Sequence, residues 1–361
     1  MSGLHNADSL PSSLLVRPAQ RFALLRGWAA WSWAALWLAV ILAAPLYLDK
    51  FWLHVANLAL LASMGAIALN LLTGNARLVS LGQAAFLGIG GFTAGLLAEH
   101  TSLGFLSVTA IAAVAGAVSG FLAALPSLRL RVLYVAVATL ALHFVVTLVL
   151  GVIQAQVLNS SGLLLPLAEI AGYVLKQPQQ WYFVLLAFTG LFALAALNFL
   201  RSYVGRRWVA VADHDVAAET LGISVTGAKV SVFVVTSSMV SVTGAVSAYY
   251  VGTVTTEYYS LTLAITYLAM IIVGGMGSVL GSVLGAFLIT VLPYLMDKVL
   301  AGLGIGLDGG ALVGLHSVLF GALIVGFLLF EPRGLAEIWR RIRIWVAQFP
   351  YRYASARSGG R

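Results

Sequence analysis

Few polar side chains stand inside the long apolar runs of this 361-residue chain, and their types limit the chemistry open to it. Thr139, His143 and Thr147 lie at i, i+4 and i+8, a stripe of hydroxyl, imidazole and hydroxyl on one helix face. Thr236, Thr243 and Ser247 fall within about 40° of one another at 100° per residue. Asn70, Ser80 and Gln83 flank a short polar turn. These groups donate and accept hydrogen bonds, but they offer no cluster of acid, base or metal ligands. Two readings stand for them: hydrogen bonds to their own helix backbones, or the lining of a translocation path. For His143 the choice is between an interhelical hydrogen bond and a path-lining group.

Energy must come from elsewhere if the chain drives transport. None of its four lysines follows glycine, so there is no Gly-Lys-Ser/Thr and no Walker A phosphate loop. No Asp, Glu, Lys or Arg lies well inside an apolar run, which disfavours an ion-coupled carrier. There is no cysteine, so disulfide and thiolate-metal chemistry are closed. Neither a cofactor nor a metal is expected in this chain.

The most polar internal segment is 201–228, where arginines precede Asp213, Asp215 and Glu219. Ala217, Ala218 and Leu221 at i, i+1 and i+4 predict a short helix over 211–223 with one apolar face, and Gly222 is a natural stop. By periodicity it is either a solvated connector or a docking element. Glycines form a second pattern. Gly277, Gly281 and Gly285 step by four, as do Gly91/Gly95 and Gly116/Gly120, which suits close helix packing in lipid. Gly274, Gly275 and Gly277 also break the chain at a turn, where freed backbone groups could instead face a pathway.

The elements that must carry these residues follow from composition. The chain is 61% apolar and only 9% charged, against roughly 25% charged in soluble domains. A soluble enzyme, a disordered chain and a nucleic-acid module are excluded, and an all-α polytopic membrane protein is expected. At about 20 apolar residues per crossing, ten spans are expected: 28–48, 52–73, 78–98, 103–125, 132–153, 181–200, 229–251, 261–275, 278–296 and 312–330. The eighth is short and reads as tilted or broken. Residues 1–27 then form a cytoplasmic tail, 28–330 the membrane domain with a cytoplasmic loop at 201–228, and 331–361 a basic cytoplasmic tail. This arrangement places seventeen of the twenty Lys and Arg inside and only Lys50, Lys176 and Lys298 outside, as the positive-inside rule requires. The net charge of +8 therefore needs no nucleic acid to explain it.

Five motifs occur in order: Leu81-Gly82-Gln83-Ala84-Ala85-Phe86 with Gly88 and Gly90, Leu128-Arg129-Leu130-Arg131, Ala217-Ala218-Glu219-Thr220-Leu221-Gly222-Ile223, Gly274-Gly275-Met276-Gly277-Ser278 and Pro332-Arg333-Gly334-Leu335. Their order and spacing resemble the LivM-like permease subunits of branched-chain amino-acid ABC importers, over about residues 52–336. The family usually has His where Gln83 stands and a Gly-Gly signature where this chain reads Leu158-Asn159-Ser160-Ser161-Gly162-Leu163; both departures bear on the substrate.

The resemblance implies an importer of the bacterial inner membrane. Its parts would be this chain, a homologous LivH-like second permease, two cytoplasmic ATPases that use ATP and Mg²⁺, and an extracytoplasmic binding protein delivering a small amino acid. It also implies that 211–223 is the helix docking on an ATPase, with Asp213, Asp215, Ala217, Ala218, Glu219, Leu221 and Gly222 as its residues. Urea, amides or another small organic acid are the alternative cargo, and an ion-coupled secondary transporter is the alternative class.

Overall fold

A computed structural model describes residues 40–128, 132–157, 162–170, 172–302, a scatter of positions between 314 and 329, and 334–348. Of the expected span 312–330 only those scattered positions are described, and of 28–48 only its last residues; Arg129, Arg131 and Leu158–Ser161 lie outside the described residues.

Two units divide at Leu53/His54. In the first, a helical stretch over 40–47 closes with the Tyr47 hydroxyl donating to the Val40 carbonyl at 2.9 Å, and the helix α1 (Lys50–Asn70) begins.

The second unit holds the remaining helices. They are α2 (Gln83–His100), α3 (Phe105–Ser127), α4 (Val132–Val157), α5 (Pro178–Arg201), α6 (Tyr203–Asp213), α7 (Asp215–Thr220), α8 (Val225–Val251), α9 (Leu261–Gly274), α10 (Val279–Gly302) and α11 (Leu335–Gln348). Six helices among the described residues are long and apolar enough to cross a membrane: α1 with its π-helical extension Leu71–Asn75, α3, α4, α5, α8 and α10. The protein is an α-helical, polytopic membrane protein. Its only strands among the described residues are two-residue pairs. β1 (Leu163–Leu164) pairs antiparallel with β4 (Thr253–Val254), and β2 (Glu169–Ile170) with β3 (Tyr173–Val174).

Small residues set the core. A Cβ on Gly90 would lie 1.9 Å from the Ser241 carbonyl oxygen, one on Gly116 2.4 Å from the Ser241 hydroxyl, and one on Gly120 1.7 Å from the Ser237 hydroxyl. So α3 closes on α8 with serine hydroxyls seated in glycine notches, and α2 closes on it with the Ser241 backbone against Gly90. In lipid the hydrophobic effect gives little drive between helices, and such close backbone approach replaces it. Around this core, α4 and α5 present apolar residues such as Phe144, Leu148, Leu191 and Leu194 outward, a surface that suits lipid.

One expected span changes and another is as short as expected. The third starts at Gln83 rather than 78, because the 79–82 backbone is held by side chains: Leu81 N–H donates to Thr139 Oγ1 at 3.0 Å and Gly82 N–H to Ser80 Oγ at 3.2 Å. Non-helical backbone at membrane depth survives only with such partners. The eighth, α9, has 14 residues, about 21 Å at 1.5 Å per residue and short of the ~30 Å hydrocarbon.

Candidate functional site

At one end of the bundle the polar connectors meet. Ser202 caps α6 by accepting from the Gly205 N–H at 3.3 Å. Trp208, 1% exposed, donates its indole N–H to Ser231 Oγ at 2.9 Å and stacks on Phe199. One apolar side chain thus pins α6 to both α5 and α8. The helix stops at His214, whose backbone is extended (φ −153°, ψ 101°) and opens α7.

This corrects the expected helix over 211–223: it is two helices broken at His214, and it has no shared apolar face. Ala218 alone turns inward, at 3% exposure, whereas Ala217 and Leu221 face outward. Leu221 lies past the end of α7, as its C-cap, and a helix of six residues is too short for a buried stripe. What projects is a ridge with Val216 and Leu221, 71% and 81% exposed, set between Asp213, Asp215 and Glu219. Gly222, at φ +80°, ends it with Ile223 N–H donating to the Ala218 carbonyl at 3.0 Å.

Arg77 joins this ridge to the membrane core. Its guanidinium lies 2.8 Å from Asp213 Oδ1, and it is the one non-glycine residue with positive φ (53°) among the described residues. A cleft of about 200 Å³ opens beside the pair, lined by Arg77, Trp208, Asp213, His214, Asp215 and Lys229. Spacing alone gave no reason to join Arg77 to Asp213, 136 positions away. The hint was an isolated arginine in a polar turn.

Below Arg77, the π-helical turn leads to Asn70, whose carboxamide is shared with the Gly274–Ser278 turn. Its Oδ1 accepts from Gly277 N–H at 2.8 Å and its Nδ2 donates to the Ser278 carbonyl at 2.9 Å. A Cβ on Gly74 would lie 2.3 Å from Gly277 N, so this approach requires glycine. In the seam that follows, a Cβ on Gly274 would come within 2.1 Å of the Gly281 oxygen and one on Gly285 within 2.0 Å of the Met270 oxygen. Gly281 faces the Gly274 and Gly275 carbonyls in turn. These glycines close α9 on α10. Gly275 and Gly277 also take positive φ, 114° and 82°, to make the turn.

The polar residues at membrane depth are buried and mostly occupied. Gln83 donates to the Gly65 carbonyl at 3.0 Å. Thr236 and Thr243 return to their own helix at the Val232 and Met239 carbonyls, 2.7 and 3.1 Å away. Thr139 holds the Leu81 N–H, Ser80 the Gly82 N–H, and Thr147 donates to the His143 carbonyl. The structure therefore brings Ser80, Gln83 and Thr139 together around the start of α2, with Thr236 and Thr243 apart on α8. His143 is 2% exposed with its Nδ1 unpartnered, unlike the others. Sequence reasoning passed over Ser237 and Ser241, whose only signal was their four-residue spacing. No group of His, Cys, Asp and Glu able to hold a metal occurs among the described residues.

At the opposite ends of α4 and α8, Gln154 accepts from the Thr256 N–H and hydroxyl at 2.8 and 2.9 Å. Next to it, the Glu257 carboxyl is held below the usual carboxylate range by its own backbone N–H, and secondarily by the Thr255 hydroxyl.

The family model described as "Branched-chain amino acid transport system / permease component" matches residues 51–328. The chain is similar to two curated proteins, each named a high-affinity branched-chain amino acid transport system permease protein LivM, from Salmonella typhimurium and Escherichia coli. Each is 26% identical over 328 residues, covering 84% of this chain and 74% of the relative. No solved structure matches it. The matched range includes Asn70, Arg77, the α6–α7 ridge and the glycine seam. This chain therefore belongs to the permease-component family of branched-chain amino acid transport systems, as a multi-pass inner-membrane transport subunit.

Proposed function

We propose that this chain is the substrate-translocating permease subunit of an ATP-driven importer for leucine, isoleucine, valine or closely related small amino acids. The observation that carries the proposal is the family match over residues 51–328. The names of the two relatives support the substrate class. In this reading the chain crosses the membrane ten times with both termini cytoplasmic, 1–27 and 331–361 being its tails. It carries out no covalent step and holds no cofactor. ATP and Mg²⁺ belong to two separate cytoplasmic ATPases, a second permease completes the pathway, and an extracytoplasmic protein delivers the amino acid.

The α6–α7 ridge is the part suited to receive the ATPases. Val216 and Leu221 would enter an apolar pocket while Asp213, Asp215 and Glu219 meet a basic rim. Movement of the ridge would reach the membrane through Arg77, the π-helical turn and the Asn70 clamp on the Gly277–Ser278 turn. Of the residues read as path candidates, His143 has an unused hydrogen-bonding atom and is the best placed to serve a passing substrate; Ser80, Gln83, Thr139, Thr236 and Thr243 shape the route by holding backbone.

Leu221→Glu tests the reading. Leu221 is 81% exposed, so the fold should tolerate the change. ATP-dependent uptake of leucine into liposomes containing the co-purified subunits should fall at least about tenfold, the equivalent of ~1.4 kcal/mol in docking. Undiminished uptake would reduce the ridge to a connector. Uptake without ATP or partners would overturn the importer reading itself.

A further inference from the structure

The C-terminal helix α11 has a chemistry that transport does not use. In sequence its apolar positions Leu335, Ile338, Trp339, Ile342, Trp345 and Val346 recur at helical spacing, within about 120° at 100° per residue. Arg340, Arg341 and Arg343 lie outside that arc, giving 335–348 a net charge of +2, and Arg352, Arg357 and Arg361 follow. A soluble helix of this kind would pack its stripe on a core. Here Trp339 remains 42% exposed.

Position narrows the partner. The apolar run 312–330 ends four residues before α11, through Glu331-Pro332-Arg333-Gly334. Four residues reach at most ~14 Å, so a helix following a membrane span must start near the bilayer surface. Gly334, at φ +71°, fixes that start: a Cβ there would lie 2.5 Å from Gly275 N, so the chain turns tightly against the Gly274–Ser278 turn. Glu337 holds Arg340 by two bonds, at 2.6 and 2.8 Å, and lies 3.6 Å from Arg341. The two arginine side chains nevertheless stay 52% and 62% exposed. A guanidinium has five N–H donors, so the two bonds from Arg340 to Glu337 leave Arg340 donors for a phosphate.

We infer that α11 is an interfacial helix that lies on the bilayer, with Trp339 among the acyl chains and Arg340 and Arg341 on anionic lipid headgroups. An amphipathic helix with tryptophan on one face and arginine on the other has this chemistry, and neighbouring anionic lipid favours each surface arginine by about fivefold in docked population. Because Gly334 packs on the turn that Asn70 clamps, α11 would fix one side of the α9–α10 seam to the membrane plane. The inference does not depend on which amino acid is carried.

The absence of cysteine makes the test clean. Nitroxide labels are attached to Trp339→Cys or Arg340→Cys in the 361-residue chain. The chain is placed in nanodiscs of phosphatidylcholine with or without phosphatidylglycerol. The label at 339 should be relaxed by oxygen and shielded from a water-soluble nickel complex, and the label at 340 should show the reverse. Phosphatidylglycerol should raise the lipid-immersed population at 339 several-fold, and Arg340→Gln/Arg341→Gln/Arg343→Gln should abolish that gain. A label at 339 shielded from both reagents would assign the face to a protein contact, and one open to nickel would assign it to water. Either result overturns the inference, as does equal immersion in the two lipids.

Discussion

Asn70 and Gly277, 207 positions apart, are joined by a 2.8 Å hydrogen bond, and the same Asn70 carboxamide donates to the Ser278 carbonyl. One neutral side chain thereby satisfies both polar groups of a turn that glycine makes possible. It also ties the π-helical end of α1 to the start of α10.

Asn70 is 1% exposed, so its loss leaves buried groups unpaired. Asn70→Ala should destabilise the protein by about 1–3 kcal/mol for each group left without a partner, read as a lowered melting temperature in detergent. Asn70→Asp should be worse than a simple isostere, because it turns the donor facing the Ser278 carbonyl into an acceptor. A melting temperature unchanged in both variants would show that the clamp is not structural.

The Arg77–Asp213 pair should behave differently. Its side chains are 63% and 52% exposed, and exposed pairs contribute ~0–1 kcal/mol. Asp213→Asn should hardly move the melting temperature, while coupling of ATP hydrolysis to uptake falls if the pair transmits ridge movement. Arg77→Gly removes the pair but relieves a left-handed backbone worth ~1 kcal/mol, so its stability should stay near the parent.

Two glycines test close packing against backbone freedom. Gly274→Ala places a methyl group 2.1 Å from the Gly281 oxygen. Such overpacking costs about 1–3 kcal/mol, and separation of α9 from α10 should be detectable by cross-linking. Gly222→Ala meets open space, but its φ is +80°. It should cost only ~1 kcal/mol of local strain, expressed as fraying of α7 in hydrogen exchange and with no change at the seam.

Glu257 sets a pH dependence at the other end. Its folded carboxyl is held below the ordinary carboxylate range, so folding favours the charged form. That contribution is complete above the ordinary carboxylate pKa and is lost as pH falls through the lower folded value. The group is largely exposed, so the effect is small. Glu257→Gln should melt slightly lower than the parent at neutral pH, with the difference vanishing in acid. A difference that grows in acid would reverse the assignment.

The sequence by itself determined the class of the protein. A 61% apolar chain with no mid-membrane charge can satisfy its backbone only as helices in lipid, and the length of its apolar runs marked most helix positions to within a few residues. Local glycine spacing likewise foretold the seam of Gly274, Gly281 and Gly285, because close packing of adjacent helices is written at i and i+4. The start of α2 was not legible, since the partner holding it, Thr139, comes 58 residues after Leu81. Nor was the break at His214, because no Gly or Pro marks the stop. Whether a polar side chain bonds its own helix, as Thr236 does, another backbone, as Gln83 does, or no partner at Nδ1, as in His143, depends on which helix lies opposite. That is a matter of distance in space, and only the tertiary structure could decide it. It turned a list of polar residues into two contacts, Asp213 with Arg77 and Asn70 with Gly277, joined by the π-helical turn between Asn70 and Arg77.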